Sequence, residues 1–319
     1  MAIAWAAGRH PASPHLRPPG SLPAPGTVQQ KRVHSDMGVF GQRTGMPRRT
    51  ASPWGRRNRI RVSSVFLGIV AVTVTGAVAS WTGYGNSGFA VFVFVMGAYF
   101  VVLCLHEFGH AYAAHRAGDA GVAARGYLDL NPLRYLNPVL SFLLPALYLA
   151  WGGLPLPGGA VLVDRTAARK RWQASLISAS GPLANVVFAS VAMVAVAIWA
   201  PTAPAFDGSG SLISGPHEAF WEGVSFFAFL QVAVALLNLI PVPGLDGYGI
   251  IEPYLKPETR RGLEPIRPYG ILLVLLLLFF FQPVRDGFSH AVYSILSAFG
   301  QPYYGASQGQ IEFMFWKSH

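Results

Sequence analysis

The chain has 319 residues, 52% of them hydrophobic and only 12% charged, with a mean hydropathy of +0.39. That balance excludes an ordinary soluble domain of this length and reads as a polytopic membrane protein. The net charge of +10 is local: residues 1–61 hold eleven Lys and Arg against one acid, Asp36, so the remaining 258 residues balance at thirteen of each sign and the basic pI implies no nucleic-acid partner.

Residues 1–61 carry eight prolines and seven glycines with no apolar periodicity, which predicts a disordered arm. Its Arg48–Arg61 cluster suits a cytoplasmic segment touching anionic headgroups. An Arg-rich, acid-poor start also resembles an organellar transit peptide, and Met37 or Met46 are alternative translation starts. From Val62 to Leu105 no residue is charged, and only the polar, Gly-rich stretch 82–88 interrupts the run, so two spans are expected at about 62–81 and 88–115. The second ends in Leu103-Cys104-Leu105-His106-Glu107-Phe108-Gly109-His110-Ala111. On a helix the two histidines fall on one face about a turn apart, close enough to share a metal ion. Glu107 sits beside them as the candidate general base.

Pro138–Trp151 is apolar but only fourteen residues long, the length of a re-entrant or interfacial segment, and a Pro- and Gly-rich stretch leads from it to Val161-Leu162-Val163. A short strand or hairpin at membrane depth is expected there, tolerable only where protein or water covers its backbone. A third span is expected over Ala174–Ala200, with Gly181-Pro182 shaping its entry, a fourth over Ala219–Pro241 and a fifth over Tyr269–Pro283; residues 287–299 form a weaker sixth, and 300–319 a tail. Basic residues number eleven before span one, seven in 116–171 and four in 242–268, against none in 82–87 and 201–217. The positive-inside rule then puts the N-terminus, the end of span two and the end of span four on the cytoplasmic side of an inner or plasma membrane.

A catalytic zinc needs a third protein ligand. With one cysteine, Cys104, the chain has no Cys-based site and no internal disulfide. His115 is about 140° round the helix from His110, and Ala113 and Arg116 stand where an extended metzincin pattern needs Gly and His. His217 lies in an outer loop, Asp119 and Asp129 in a solvated loop, and His290 beyond span five. Asp246 remains, in Asn238-Leu-Ile-Pro-Val-Pro-Gly-Leu-Asp246-Gly247, where two prolines break the helix at the end of span four.

His106-Glu107-Phe108-Gly109-His110, Ser180-Gly-Pro-Leu-Ala-Asn185 and Asn238-x-x-Pro241-x-x-x-Leu245-Asp246-Gly247 stand in the order found in the site-2 protease family of intramembrane zinc metalloproteases, and the chain closely resembles that family over about 88–250. The resemblance implies an all-α membrane protein, five to six transmembrane helices around a three-helix core, with a strand-like element between spans two and three. It implies one zinc ion held by His106, His110 and Asp246, Glu107 activating water, and cleavage of a transmembrane protein substrate in the bilayer, in regulated proteolysis. Neither the PDZ insertion nor the C-terminal nucleotide-sensing domain of some subgroups is expected from these residues. Asn185 and Asn238 are expected either to bond between helices or to donate to substrate or oxyanion. Gly97 and Gly109 read as close-packing points. The rival classes are a transporter that moves protons or a metal ion through the His, Glu and Asp cluster, and an inactive relative acting as a membrane chaperone. A transporter calls for polar residues along several spans, yet spans one and five are almost purely apolar.

Overall fold

A computed structural model describes residues 60–135, 168–204, 211–301 and 303–317. Residues 1–59 of the basic arm and the expected re-entrant and strand-like element over 138–163 lie outside the described residues, whereas Arg61 of the arm is in a short strand. Among the described residues five helices are long and apolar enough to cross a membrane: α1 (Ser64–Thr82), α2 (Ser87–Ala117), the helix Arg171–Trp199, the helix Glu218–Leu239, and the helical stretch Pro257–Phe280. Between α2 and the third long helix lie α3 (Ala120–Arg125) and α4 (Pro132–Tyr135), so Arg171–Trp199 is α5 and Glu218–Leu239 is α6. Then come α7 (Asp246–Ile251), α8 (Pro257–Leu263), α9 (Gly270–Phe280), α10 (Gln282–Ala298) and α11 (Tyr303–Phe313).

Polar caps punctuate the apolar run. Ser63 accepts from the Phe66 N–H to start α1, Gly83 ends it in the left-handed region, and Asn86 accepts from the Phe89 N–H to start α2. The first four expected spans are thus present with ends moved by one to three residues, whereas the fifth candidate, Pro257–Phe280, begins twelve residues before the expected Tyr269. At 31 residues, α2 is about 46 Å long, well over the hydrocarbon thickness, and it is the helix around which the bundle closes. Its buried side chains, among them Val91, Val95, Val102 and Cys104, share one core with those of α5 and α6. The outward faces stay apolar, as in Leu67 and Val78 of α1 and Val187 and Val191 of α5, the pattern of helices whose solvent is lipid.

Sheet structure among the described residues is confined to two short pairs. β1 (Arg61–Val62) pairs in parallel with β2 (Asp129–Leu130), in the register Arg61 to Asp129, and Ser63 Oγ donates to the Leu130 carbonyl. β3 (Thr202–Pro204) and β4 (Ser211–Ile213) form an antiparallel pair between α5 and α6. Residues 287–299 fall in α10, which is not among the candidate spans. The stretch read as a tail contains α11, which packs on α2 and α6: a Cβ at Gly309 would run into the Glu222 carbonyl, and one at Gly88 would lie 2.6 Å from Phe315 Cβ. A pair of small residues four apart, Gly305 and Gly309, is what lets α11 come so near.

The motif helix comes within backbone contact of α5 at Gly109. A Cβ on Gly109 would lie 2.8 Å from the Ser180 carbonyl oxygen, so α2 and α5 touch there backbone to backbone. Gly97 makes room instead for the Thr73 side chain of α1. Gly109→Ala is therefore expected to destabilise the folded chain by about 1–3 kcal/mol, as overpacking does, read as a lower thermal midpoint in detergent.

Candidate metal centre

The site forms where α2, α5 and the turn after α6 meet. His106 and His110 are buried on α2, one turn apart as their spacing requires. The third element arrives because α6 stops at Leu239. Ile240, preceding Pro241, is extended (φ −61°, ψ 129°), and Gly244 turns the chain at φ 102°. Gly247 then lets the turn fold back onto the end of α6, since any Cβ there would collide with the Leu239 and Ile240 carbonyls. Asp246 opens α7, whose Ile250 carbonyl accepts from Ser175 Oγ of α5 at 2.7 Å. The carboxylate is thereby aimed at the two imidazoles.

His106, His110 and Asp246 are the described residues grouped closely enough to hold a metal ion, their ligand atoms all lying within 4.8 Å of one another. The triangle is nearly regular. His106 Nε2 and His110 Nε2 are 3.1 Å apart, and Asp246 Oδ2 lies 3.3 Å from the first and 3.4 Å from the second. For a tetrahedral zinc with ligand bonds of 2.0–2.1 Å, two ligand atoms are separated by about 3.3 Å. Burial pushes the Asp246 carboxyl up, and the histidines in their protonated, charged form outweigh it and hold the group well below the usual carboxylate range.

The outer nitrogens settle which ring atoms face the centre. His110 Nδ1 lies 2.7 Å from the Ile177 carbonyl, an acceptor only, so Nδ1 carries a proton and in the neutral ring Nε2 is the bare nitrogen. His106 Nδ1 lies 2.7 Å from Asn185 Oδ1, and the Asn185 amide donates onward to Gln231 Oε1 at 2.8 Å. Such partners fix the tautomer and direction of metal-binding histidines. They come from one stretch of α5, where Pro182 lacks the N–H that would bind the Ser178 carbonyl.

Gly181 has a larger task than shaping a helix entry. A Cβ there would lie 2.6 Å from His106 Nε2 and nearer still to His110 Nε2, in the space a shared ion takes. The bare Cα leaves that space open. Glu107 is buried beside the histidines, and Asn238 is buried near the end of α6. Elsewhere, His115 is only half-buried, with its Nδ1 lacking a hydrogen-bond partner. His217 stacks on Trp81 at 3.6 Å between ring centroids, and His290 is exposed. Asp119, expected in solvent, is buried, capping α3 through the Gly121 and Val122 N–H groups and pairing with Arg125 at 3.6 Å. Sequence reasoning overlooked Gln231 and the Ile177 carbonyl. An amide in the middle of the apolar stretch 226–237 was the available signal for the first; the second is backbone and has none.

Known proteins were compared with the chain. Peptidase family M50 matches residues 148–281, a stretch containing Gly181, Asn185, Asn238 and Asp246 and starting after the His-Glu-x-x-His motif. Rip2 of Mycolicibacterium smegmatis, provisionally named a zinc metalloprotease, is 40% identical over 267 residues, spanning 82% of this chain and 97% of its own. Rip2 of Mycobacterium tuberculosis is 40% identical over 273 residues, 83% of this chain and 98% of its own. YwhC of Bacillus subtilis, named in the same provisional way, is 28% identical over 209 residues, 63% of this chain and 90% of its own. No solved structure matches the chain. Gly181→Ala should leave the helical circular dichroism intact while the purified protein's metal content, read by atomic emission, falls to near zero.

Proposed function

The chain belongs to peptidase family M50, and on that premise we propose that it is a zinc-dependent intramembrane endopeptidase, cutting a peptide bond in or near a transmembrane segment of a membrane-bound substrate. The observation that carries this reading is the convergence of His106, His110 and Asp246 ligand atoms in front of Gly181, with a buried carboxylic acid, Glu107, in the same turn of α2. His106 is nineteen residues from the start of α2, about 28 Å along the axis, which agrees with chemistry near the far edge of the hydrocarbon.

His106, His110 and Asp246 would hold the ion and leave a fourth direction open, the arrangement of catalytic rather than structural zinc. When bound, zinc supplies Lewis acidity to the scissile carbonyl and to a water molecule. Glu107 takes a proton from that water and returns it to the departing amine nitrogen, so the carboxylate ends the cycle ionised. Nδ1 of each histidine stays protonated on its acceptor and keeps the ring plane fixed. A substrate helix hides its amides in its own hydrogen bonds and must unwind locally to be cut. Segments with Gly or Pro near the scissile bond are therefore favoured.

Orientation follows from charge. The ends of α2, α5, α6 and α7 that meet at the site adjoin Arg116, Arg125, Lys170, Arg171, Arg260, Arg261 and Arg267, whereas the described connections at the other end, residues 83–86 and 211–217, hold no Lys or Arg. The site end would face the cytoplasm of an inner or plasma membrane. The same topology suits release of a membrane-tethered regulator to the cytoplasm.

The test is coexpression with a panel of single-span membrane proteins, wild type against Glu107→Gln. The variant should bind zinc at the wild-type level yet cleave slower by about 10²- to 10⁴-fold; equal cleavage would reject Glu107 as the base. Identical fragment patterns on every substrate, combined with metal-dependent ion flux into vesicles, would favour transport instead. Asp246→Asn should purify with markedly less zinc than wild type. Undiminished metal content would send the search for a third ligand elsewhere.

A further inference from the structure

The hydrogen bonding behind His106 does not stop at Asn185. It continues to Gln231 on α6, a fully buried side chain among Leu230, Val232, Ala233 and Val234. Gln231 Nε2 has no hydrogen-bond partner among the described residues. An unmet amide donor in an apolar interior is unfavourable, so packing alone gives no reason to have Gln there rather than Met or Leu. The Oε1 atom gives one.

We propose that Gln231 is a positioning residue for the metal centre, its Oε1 holding Asn185 in the one orientation that keeps His106 Nε2 directed at the metal. The inference rests on the zinc reading above and deepens it. With Nε2 committed to a metal, Nδ1 must carry the ring proton, so Asn185 must present Oδ1 to it. The Asn185 Nδ2 group then points away from His106, into the interior between α5 and α6, and needs an acceptor. Gln231 Oε1 at 2.8 Å is that acceptor. The chain has one sense throughout, ring N–H to amide oxygen and amide N–H to amide oxygen, and each bond polarises the next. Without Oε1, a buried Nδ2 is left unmet and Asn185 gains by rotating away from the ring. His106 then loses the partner that selects its tautomer, although neither Asn185 nor Gln231 would touch zinc or substrate.

The test uses the full-length chain in detergent and two readouts: zinc affinity by competition with a chromophoric chelator, and the visible absorption of the Co²⁺-loaded protein. Gln231→Met keeps length and volume but removes the acceptor. It should weaken zinc binding by about 3- to 10-fold, less than the 10- to 100-fold typical of a direct partner of a ligand, and alter the Co²⁺ bands. Gln231→Glu, which retains an acceptor oxygen at the same reach, should restore both to within about twofold of wild type, a graded response that a purely space-filling residue would not give. Wild-type affinity and spectrum in Gln231→Met, or equal impairment in Gln231→Glu, overturns the proposal. If Gln231→Met does not purify folded, a second pair decides. Asn185→Asp and Gln231→Glu each keep a donor facing an acceptor, while the double variant sets two carboxyl groups face to face and should lose more zinc affinity than the two single losses combined. Additive losses overturn the proposal. A wild-type chain that takes up no zinc overturns the zinc reading and this inference together, whereas zinc-loaded wild type with indifferent variants removes the inference alone.

Discussion

Three atoms bearing lone pairs, Nε2 of His106, Nε2 of His110 and Oδ2 of Asp246, face one another across 3.1, 3.3 and 3.4 Å. With the His110 proton held on Nδ1 by a backbone carbonyl, such a grouping is repulsive unless a cation lies within it. A proton can relieve one edge of the triangle. A tetrahedral metal relieves all three at once, and its natural ligand spacing is the spacing found. The architecture around the site can be understood as the means of holding these acceptors together and excluding everything but a small cation from their centre.

The means are mostly absences. Gly109 allows α2 to meet α5 backbone to backbone, Gly181 leaves the centre empty, and Gly247 lets the Asp246 turn close on the end of α6. Each is a place where a methyl group would collide with backbone or with a ligand atom. Interiors pack too densely to absorb such a group without shifting a helix. Pro241 contributes in another way, by forcing the preceding residue out of the helix so that α6 ends where the acidic turn must begin. Ser175, bonded to the Ile250 carbonyl, ties that turn to α5. Ligands from two separate segments, α2 and the Asp246 turn, are thereby held together with the α5 residues behind them.

The parts of this arrangement that were legible in the sequence are the periodic and the covalently local ones. A charge-free run of forty-four residues announces two spans because lipid imposes a length and a polarity on any segment crossing it. His106 and His110 declare a shared face because 3.6 residues make a turn. Asp246 was reachable because positive charge gives the loops a side and the helix break gives the acid a direction. What stayed hidden depends on contacts between distant segments. Nothing near Gly181 in the sequence tells that a side chain there would run into both histidine Nε2 atoms. The burial of Asp119 follows from the local cap of α3 and its pairing with Arg125, neither of which hydropathy registers. Likewise α11 looks like a tail until Gly305 and Gly309 are seen against α6.

Charge balance accounts for the site's position in the bundle. A dication brought into an apolar interior by neutral ligands alone would carry an unmet charge at great cost. In the proposed reading, ionised Asp246 and Glu107 supply two negative charges against the metal's two positive ones, so the assembled cluster is neutral as a whole. The histidines add donors rather than charge, and their outer protons end on the Ile177 carbonyl and on the Asn185 to Gln231 chain. A cluster with no net charge and few unmet donors can be tolerated at membrane depth, where the same residues without their metal could not all remain ionised. In the proposed reading the metal would stabilise the close arrangement of acceptors that the glycine contacts allow.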